Sequence, residues 1–166
     1  MSTPKPPISI PSLALAHSRH GDRFEAAHAA VGPRLGLDRL GVRITVVPPG
    51  KAAWPCHAHL VNEELALVLE GCGSVRIGEQ RFPIRAGDLI GFPADKALAH
   101  HIVNDSDAPL RYLMVSTQQA PDVLLYPDSG KFFVVAGSAP GADKAARSFA
   151  HVGRIADAVD YWDGEA

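Results

Sequence analysis

Between Leu40 and Gly137 the chain is a succession of short β-rich runs: GVRITVV, ELALVLEG, GSVRIGE, QRFPI, DLIGF, AHHIVN, LRYLMVS and KFFVVAG. Branched and aromatic side chains suit a pleated strand, whereas the Pro, Gly, Asp and Asn residues between the runs favour turns. Gly78-Glu79 reads as a tight hairpin turn. Ala86-Gly87-Asp88, Asn104-Asp105-Ser106-Asp107 and Pro127-Asp128-Ser129-Gly130 read as turn clusters. No helical period interrupts the block, which disfavours a sheet wound by alternating helices. Runs and turns at these intervals predict an all-β sandwich or barrel. No internal repeat is visible, so one barrel is expected, and 166 residues with 46% apolar composition suffice for its core.

Three segments follow from this. Residues 1–38 form an N-terminal extension, proline-rich and partly flexible at its start, with helix potential around DRFEAAHAAV that Gly32-Pro33 ends. Residues 39–137 form the β domain, and residues 138–166 a loop and C-terminal tail. Tyr161 and Trp162 in that tail are expected to dock on the same subunit or on a partner. His17, His20 and His28 share no period and read as packing or solvent-facing residues. A net charge of -2 without a basic stripe argues against nucleic acid. No apolar run has membrane-spanning length, and MSTPKPPISIPSLALA does not read as a signal peptide, so a cytoplasmic location is expected. Cys56 and Cys72 should then be free thiols in buried apolar positions.

Chemistry concentrates in Gly50 to Gly71. Alternate side chains of a strand share a face, so His57 and His59 point together while Ala58 turns away. Glu64 opens the next strand, and a turn through Leu60 to Glu63 brings its carboxylate beside the imidazoles. Two nitrogens and an oxygen converging suit a divalent metal with positions left open. His100 is a fourth candidate from a later strand. Two positions have competitors. Glu63 competes with Glu64: if Glu64 faces the cavity, so do Ala66 and Val68, and the leucines of LALVLE pack on the other side. His101 competes with His100. Arg43, Thr45 and Tyr112 are polar residues in apolar strands, one or more of which could enter the cavity, and Trp54 and Pro55 could wall its mouth.

Gly50, His57, His59, Glu64 and Gly71, then Gly87, Pro93, His100 and Asn104, resemble the two motifs of the cupin superfamily, G-x5-HxH-x3,4-E-x6-G and G-x5-P-x-G-x2-H-x3-N. One extra residue precedes the histidine pair, Asp95 replaces the second motif's inner glycine, and two extra residues precede His100. The phrases GFPADKALAHHIVNDSDAPLRYL and YPDSGK are similar to single-domain bacterial cupins of the cupin-2 type, some of which carry a provisional sugar-phosphate isomerase label. The resemblance implies a double-stranded β-helix, or jelly-roll, barrel over about residues 40–117. It also implies His57, His59, Glu64 and His100 as ligands of a divalent transition metal such as Fe, Mn, Ni, Zn or Co.

Such a centre suits an enzyme acting on a small oxygen-rich metabolite by isomerase, lyase or oxygenase chemistry. The alternative is a non-catalytic module that senses a sugar, a small acid or a metal ion. No catalytic acid or base stands out in the sequence. A homodimer is expected, with the leucine face of LALVLE, the tail aromatics and the N-terminal extension as its candidate contacts.

Overall fold

The computed structural model describes residues 4–165, and among them the chain forms strands and single 3-10 turns with no α-helix. The predicted β runs become β3 (Leu40–Val47), β5 (Glu64–Glu70), β6 (Cys72–Ile77), β7 (Gln80–Arg85), β8 (Leu89–Phe92), β9 (His100–Val103), β10 (Leu110–Thr117) and β12 (Lys131–Ala136). Between and around them lie β1 (Ala16–His20), β2 (Phe24–Ala30), the two-residue β4 (Ala58–His59), β11 (Asp122–Tyr126) and β13 (Phe149–Arg154). No helix among them is long and apolar enough to cross a membrane.

The strands pair antiparallel in three sheets, ordered β1-β2-β3-β10-β5-β8, β13-β12-β11-β4 and β7-β6-β9. Neighbours distant in sequence, such as β3 beside β10 and β4 beside β11, wind the chain into a jelly roll. The core between the sheets is built from inward alternate residues, among them Val47, Val68, Val75, Phe92, Leu110 and Tyr112. Alternation on β5 is clean: Ala66 and Val68 are buried, whereas Leu65 is 42% exposed. The leucine side of this strand therefore faces outward, and Leu65 meets solvent within one chain instead of apolar packing.

Two motif residues have structural duties. Gly71 turns β5 into β6 with φ +80°, and a Cβ there would press on Pro109 O, so both conformation and space require glycine. Asn104 is fully buried and donates from Nδ2 to Val47 O and Ala108 O, each at 2.8 Å, tying the end of β9 to β3.

Several expectations are corrected. The DRFEAAHAAV segment is not helical: β1 and β2 form a hairpin, and β2 pairs with β3 from Ala27 to Ala30. Alanine favours helix by only tenths of a kcal/mol per residue, and a helix this short is marginal alone. Pairing with β3 and burial of Ala26 and Ala27 override that preference. The C-terminal stretch contributes a strand, β13, against β12. Cys56 is buried as expected, but Cys72 is exposed at the start of β6. Tyr161 and Trp162 do not dock on their own chain; 84% and 70% exposed, they pack edge-to-face on each other.

Candidate metal centre

The polypeptide brings the two halves of the site together through its backbone. His57 and His100 lie directly opposite each other: the N–H of His57 donates to His100 O at 3.1 Å and the N–H of His100 to His57 O at 2.7 Å. Opposed residues of an antiparallel pair share a face, and their imidazole centroids stand 4.7 Å apart. His59 follows on the same face, its ring 5.2 Å from that of His57. Glu64 opens β5 between Ser116 of β10 and Phe92 of β8. Phe92 stacks on His100 with centroids 3.9 Å apart, which fixes that imidazole's plane.

Glu64 Oε2 lies 3.0 Å from His100 Nε2, 3.5 Å from His59 Nε2 and 4.0 Å from His57 Nε2. The candidate ligand atoms of His57, His59 and Glu64 all lie within 4.8 Å of one another. Both competitors stand elsewhere. His101 turns to the opposite face, its ring 6.5 Å from Phe24, and burial lowers its pKa. Glu63 is exposed.

Ligands about 2.0–2.2 Å from a shared ion stand about 3 Å apart at right angles and at most about 4.4 Å apart when opposed. The three separations from Glu64 fall within those limits. Glu64 Oε2 and His100 Nε2, though 3.0 Å apart, are not aligned for a hydrogen bond, and neither atom has a hydrogen-bond partner. A buried polar atom without a partner costs about 1–3 kcal/mol. A cation at the point both atoms face would satisfy them together, and the nitrogen and carboxylate donors suit first-row divalent ions.

The protonation pattern agrees. Burial, with the neighbouring His100 and His59, pushes the His57 pKa down to about 4, which leaves this imidazole neutral at pH 7. Burial alone would raise Glu64, but the close approach of His100 and the charges of His59, His100 and His57 overcome it and lower its pKa to about 2. An ionised Glu64 carboxylate facing the neutral imidazole of His57 is a pairing that accepts a cation.

A second layer orients the rings. His57 Nδ1 sits 2.9 Å from Pro55 O, and His59 Nδ1 sits 2.6 Å from Asp122 Oδ2. Each contact requires the proton on Nδ1, so that Nε2 is left as a free lone pair. Asp122 is wholly buried and also accepts from Asn62 Nδ2 at 2.7 Å and from the backbone N–H groups of Val61 and Val123 at 3.1 and 2.8 Å. Burial opposes ionisation of Asp122, but the bonds from His59 and Asn62 prevail and hold its pKa below the usual range. Burial likewise opposes the charging of His59, and Asp122 more than offsets it. Sequence reasoning missed Asp122; its only mark was an acid opening the apolar run DVLLY.

The remaining cavity candidates divide. Thr45 and Tyr112 are opposite each other on β3 and β10 and fully buried in the core, where burial raises the Tyr112 pKa. Arg43 is only partly buried, its guanidinium 5.3 Å from the Trp54 ring centroid. Trp54 also packs 5.4 Å from His28, which the register with Thr45 places on the inner face.

Comparison with known proteins agrees with this architecture. A family model for the cupin domain matches residues 43–116. An uncharacterized protein of Methanocaldococcus jannaschii is 32% identical over 71 residues, 43% of this chain, and the chain spans 54% of that relative's length. The structure of a provisionally assigned sugar phosphate isomerase from Acidithiobacillus ferrooxidans is 27% identical, with a TM-score of 0.76 and 91% of each chain covered. A cupin-superfamily structure from Silicibacter pomeroyi, named a sugar phosphate isomerase, is 22% identical, with a TM-score of 0.75 and coverage of 95% and 98%. The domain match over residues 43–116, at the centre of the barrel, together with this shared jelly roll, identifies that part of the chain as a cupin domain.

Proposed function

We propose that His57, His59, Glu64 and His100 hold one divalent transition metal ion and that the centre catalyses isomerisation of a small hydroxy-carbonyl metabolite. The buried, partnerless atoms Glu64 Oε2 and His100 Nε2 carry this reading. Bound there, the ion supplies Lewis acidity to the oxygens of the substrate. The chain's own groups do the rest. Asp122 and Pro55 O set the ring tautomers, and Phe92 holds His100 in plane. Tyr126, its ring 6.1 Å from His57, has its pKa raised by burial and keeps its proton at neutral pH. His28 has its pKa lowered by burial and by Arg43, so it is neutral and able to accept a proton on the inner face. The provisional name of the Acidithiobacillus protein supports isomerisation over lyase or oxygenase chemistry.

The test begins with elemental analysis of protein purified without added ions. Solvent-deuterium exchange into aldoses, ketoses and their phosphates then follows, under air and under nitrogen. Near-stoichiometric metal with exchange at the carbon beside the carbonyl is expected. Absence of metal refutes the centre; bound metal and ligand without turnover favours the sensing module. We also propose a cytoplasmic homodimer, because Leu65, Leu89 and Phe149 are exposed apolar surface that a second copy could bury. A single-chain mass by light scattering at micromolar concentration would refute it.

A further inference from the structure

We propose that Arg43 is an anion subsite beside the metal centre, where its guanidinium binds the carboxylate or phosphate of a substrate whose other oxygens meet the ion. The proposal rests on the metal-centre reading above and adds the charge class of the substrate.

Register places the residue. Arg43 on β3 is opposite Met114 on β10, and Met114 is opposite Ala66 on β5, whose side chain is buried on the inner face. Glu64 lies two residues along β5 from Ala66 and shares its face. With strands about 4.8 Å apart and about 3.4 Å per residue, the backbones of Arg43 and Glu64 stand roughly 12 Å apart across one concave face. Both side chains reach into that span, and the Glu64 carboxylate raises the Arg43 pKa against the lowering by burial.

The charge is otherwise unanswered. Among the described residues, the hydrogen bond Arg43 makes is a long one, Nη2 donating to Gly141 O at 3.4 Å. A partly desolvated cation without an anion is unfavourable, and an arriving oxyanion relieves it. The planar guanidinium lies 5.3 Å from the Trp54 ring centroid, so the aromatic ring restrains it while its N–H edge stays available for a bidentate contact. Toward Glu64, Gln118 Nε2 donates to Ser116 Oγ at 3.0 Å, and Ser116 is opposite both Gly41 and Glu64. A side chain at Gly41 would occupy the space of those two polar groups. Beside the guanidinium and Glu64, the inner face thus carries two neutral polar groups, Ser116 Oγ and Gln118 Nε2, as well as Met114.

The experiment compares wild type, Arg43→Gln and Arg43→Lys, full length and loaded with Mn2+, by calorimetric titration. The probes are glyceraldehyde 3-phosphate, malate and neutral glyceraldehyde. Arg43→Gln should weaken at least one anionic probe roughly 10- to 100-fold, as loss of a charged hydrogen-bond donor predicts. Arg43→Lys should recover part of that affinity, and glyceraldehyde should change less than twofold. The anion that loses affinity identifies the group recognised. Equal weakening of all probes, with a lowered melting temperature, would make Arg43 a clamp on the Gly141 loop and overturn the proposal. Unchanged affinity for both anions overturns it as well. Inorganic phosphate titrated onto metal-free protein separates the two readings. Phosphate binding by wild type and not by Arg43→Gln retains the subsite even if the metal centre fails; equal binding, or none, removes it.

Discussion

Replacing Asp122 with Asn keeps the shape of the side chain and removes its charge, which isolates what the carboxylate does for His59. Asp122 accepts two hydrogen bonds at each oxygen: His59 and Asn62 at Oδ2, Val61 and Val123 at Oδ1. An amide has one acceptor oxygen. With that oxygen in the Oδ2 position, its NH2 group faces two backbone N–H donors. Flipped, it keeps the backbone bonds but points NH2 at Asn62 and at His59 Nδ1. The flip forces the His59 proton onto Nε2, the atom that faces Glu64, and an N–H cannot ligate a metal. Either orientation strands two buried donors, at about 1–2 kcal/mol each, so a loss of about 2–4 kcal/mol is expected. For a chain of this size that lowers the melting temperature by about 5–15 °C. Metal affinity should fall about 10- to 100-fold, as is usual when a buried partner of a ligating histidine is lost. Chelator competition measures the affinity and differential scanning calorimetry the stability, with Glu63→Gln at an exposed position as control. Asp122→Asn with wild-type affinity and melting temperature would refute the argument that Asp122 orients His59.

Other outcomes follow from the same geometry. His59→Ala should reduce metal content severely while leaving the β signature in circular dichroism largely intact; full occupancy would mean the ion sits elsewhere. Metal-free protein should lose stability on acidification. The unfolded chain takes up the His57 proton near pH 6.5, but the folded chain resists until about pH 4, so stability falls across that window by about 3 kcal/mol. Glu64, whose folded pKa of about 2 lies below its unfolded 4.5, adds a further loss as pH falls through that lower range. Urea midpoints that stay level from pH 7 to pH 4 would contradict the burial of His57. Gly71→Ala should cost about 1–3 kcal/mol, because φ +80° and the Pro109 carbonyl both oppose a Cβ, and an unchanged denaturation midpoint would show that the turn relaxes freely.

Legibility followed the range of the interaction. His57 and His59 share a face because strand alternation is local, so their pairing was readable from three consecutive residues. Glu64 over Glu63 turned on which face of β5 is inward, and the alternation of Ala66 and Val68 with the leucines framed that choice without deciding it. Spacing to Asn104 favoured His100 over His101, whereas its position opposite His57 came from a backbone pair that joins residues far apart in the chain. Asp122 and His28 were unreadable for the same reason. One opens β11 and meets His59 only through the pairing of β11 with β4, and the other reaches the inner face only because an alanine-rich segment pairs with β3.

Taken alone, the sequence determined that this chain is a β protein with its turns in place, and that it carries three imidazoles and a carboxylate at motif spacing. Period-two patterning and turn residues act over a few neighbours, and donor chemistry belongs to each side chain by itself. Only the tertiary structure decided which candidates converge, on which nitrogen His57 and His59 keep a proton, and that Arg43 and Glu64 lie on one inner face. Those properties depend on strand register and burial, which arise from pairings between distant segments and leave no local trace.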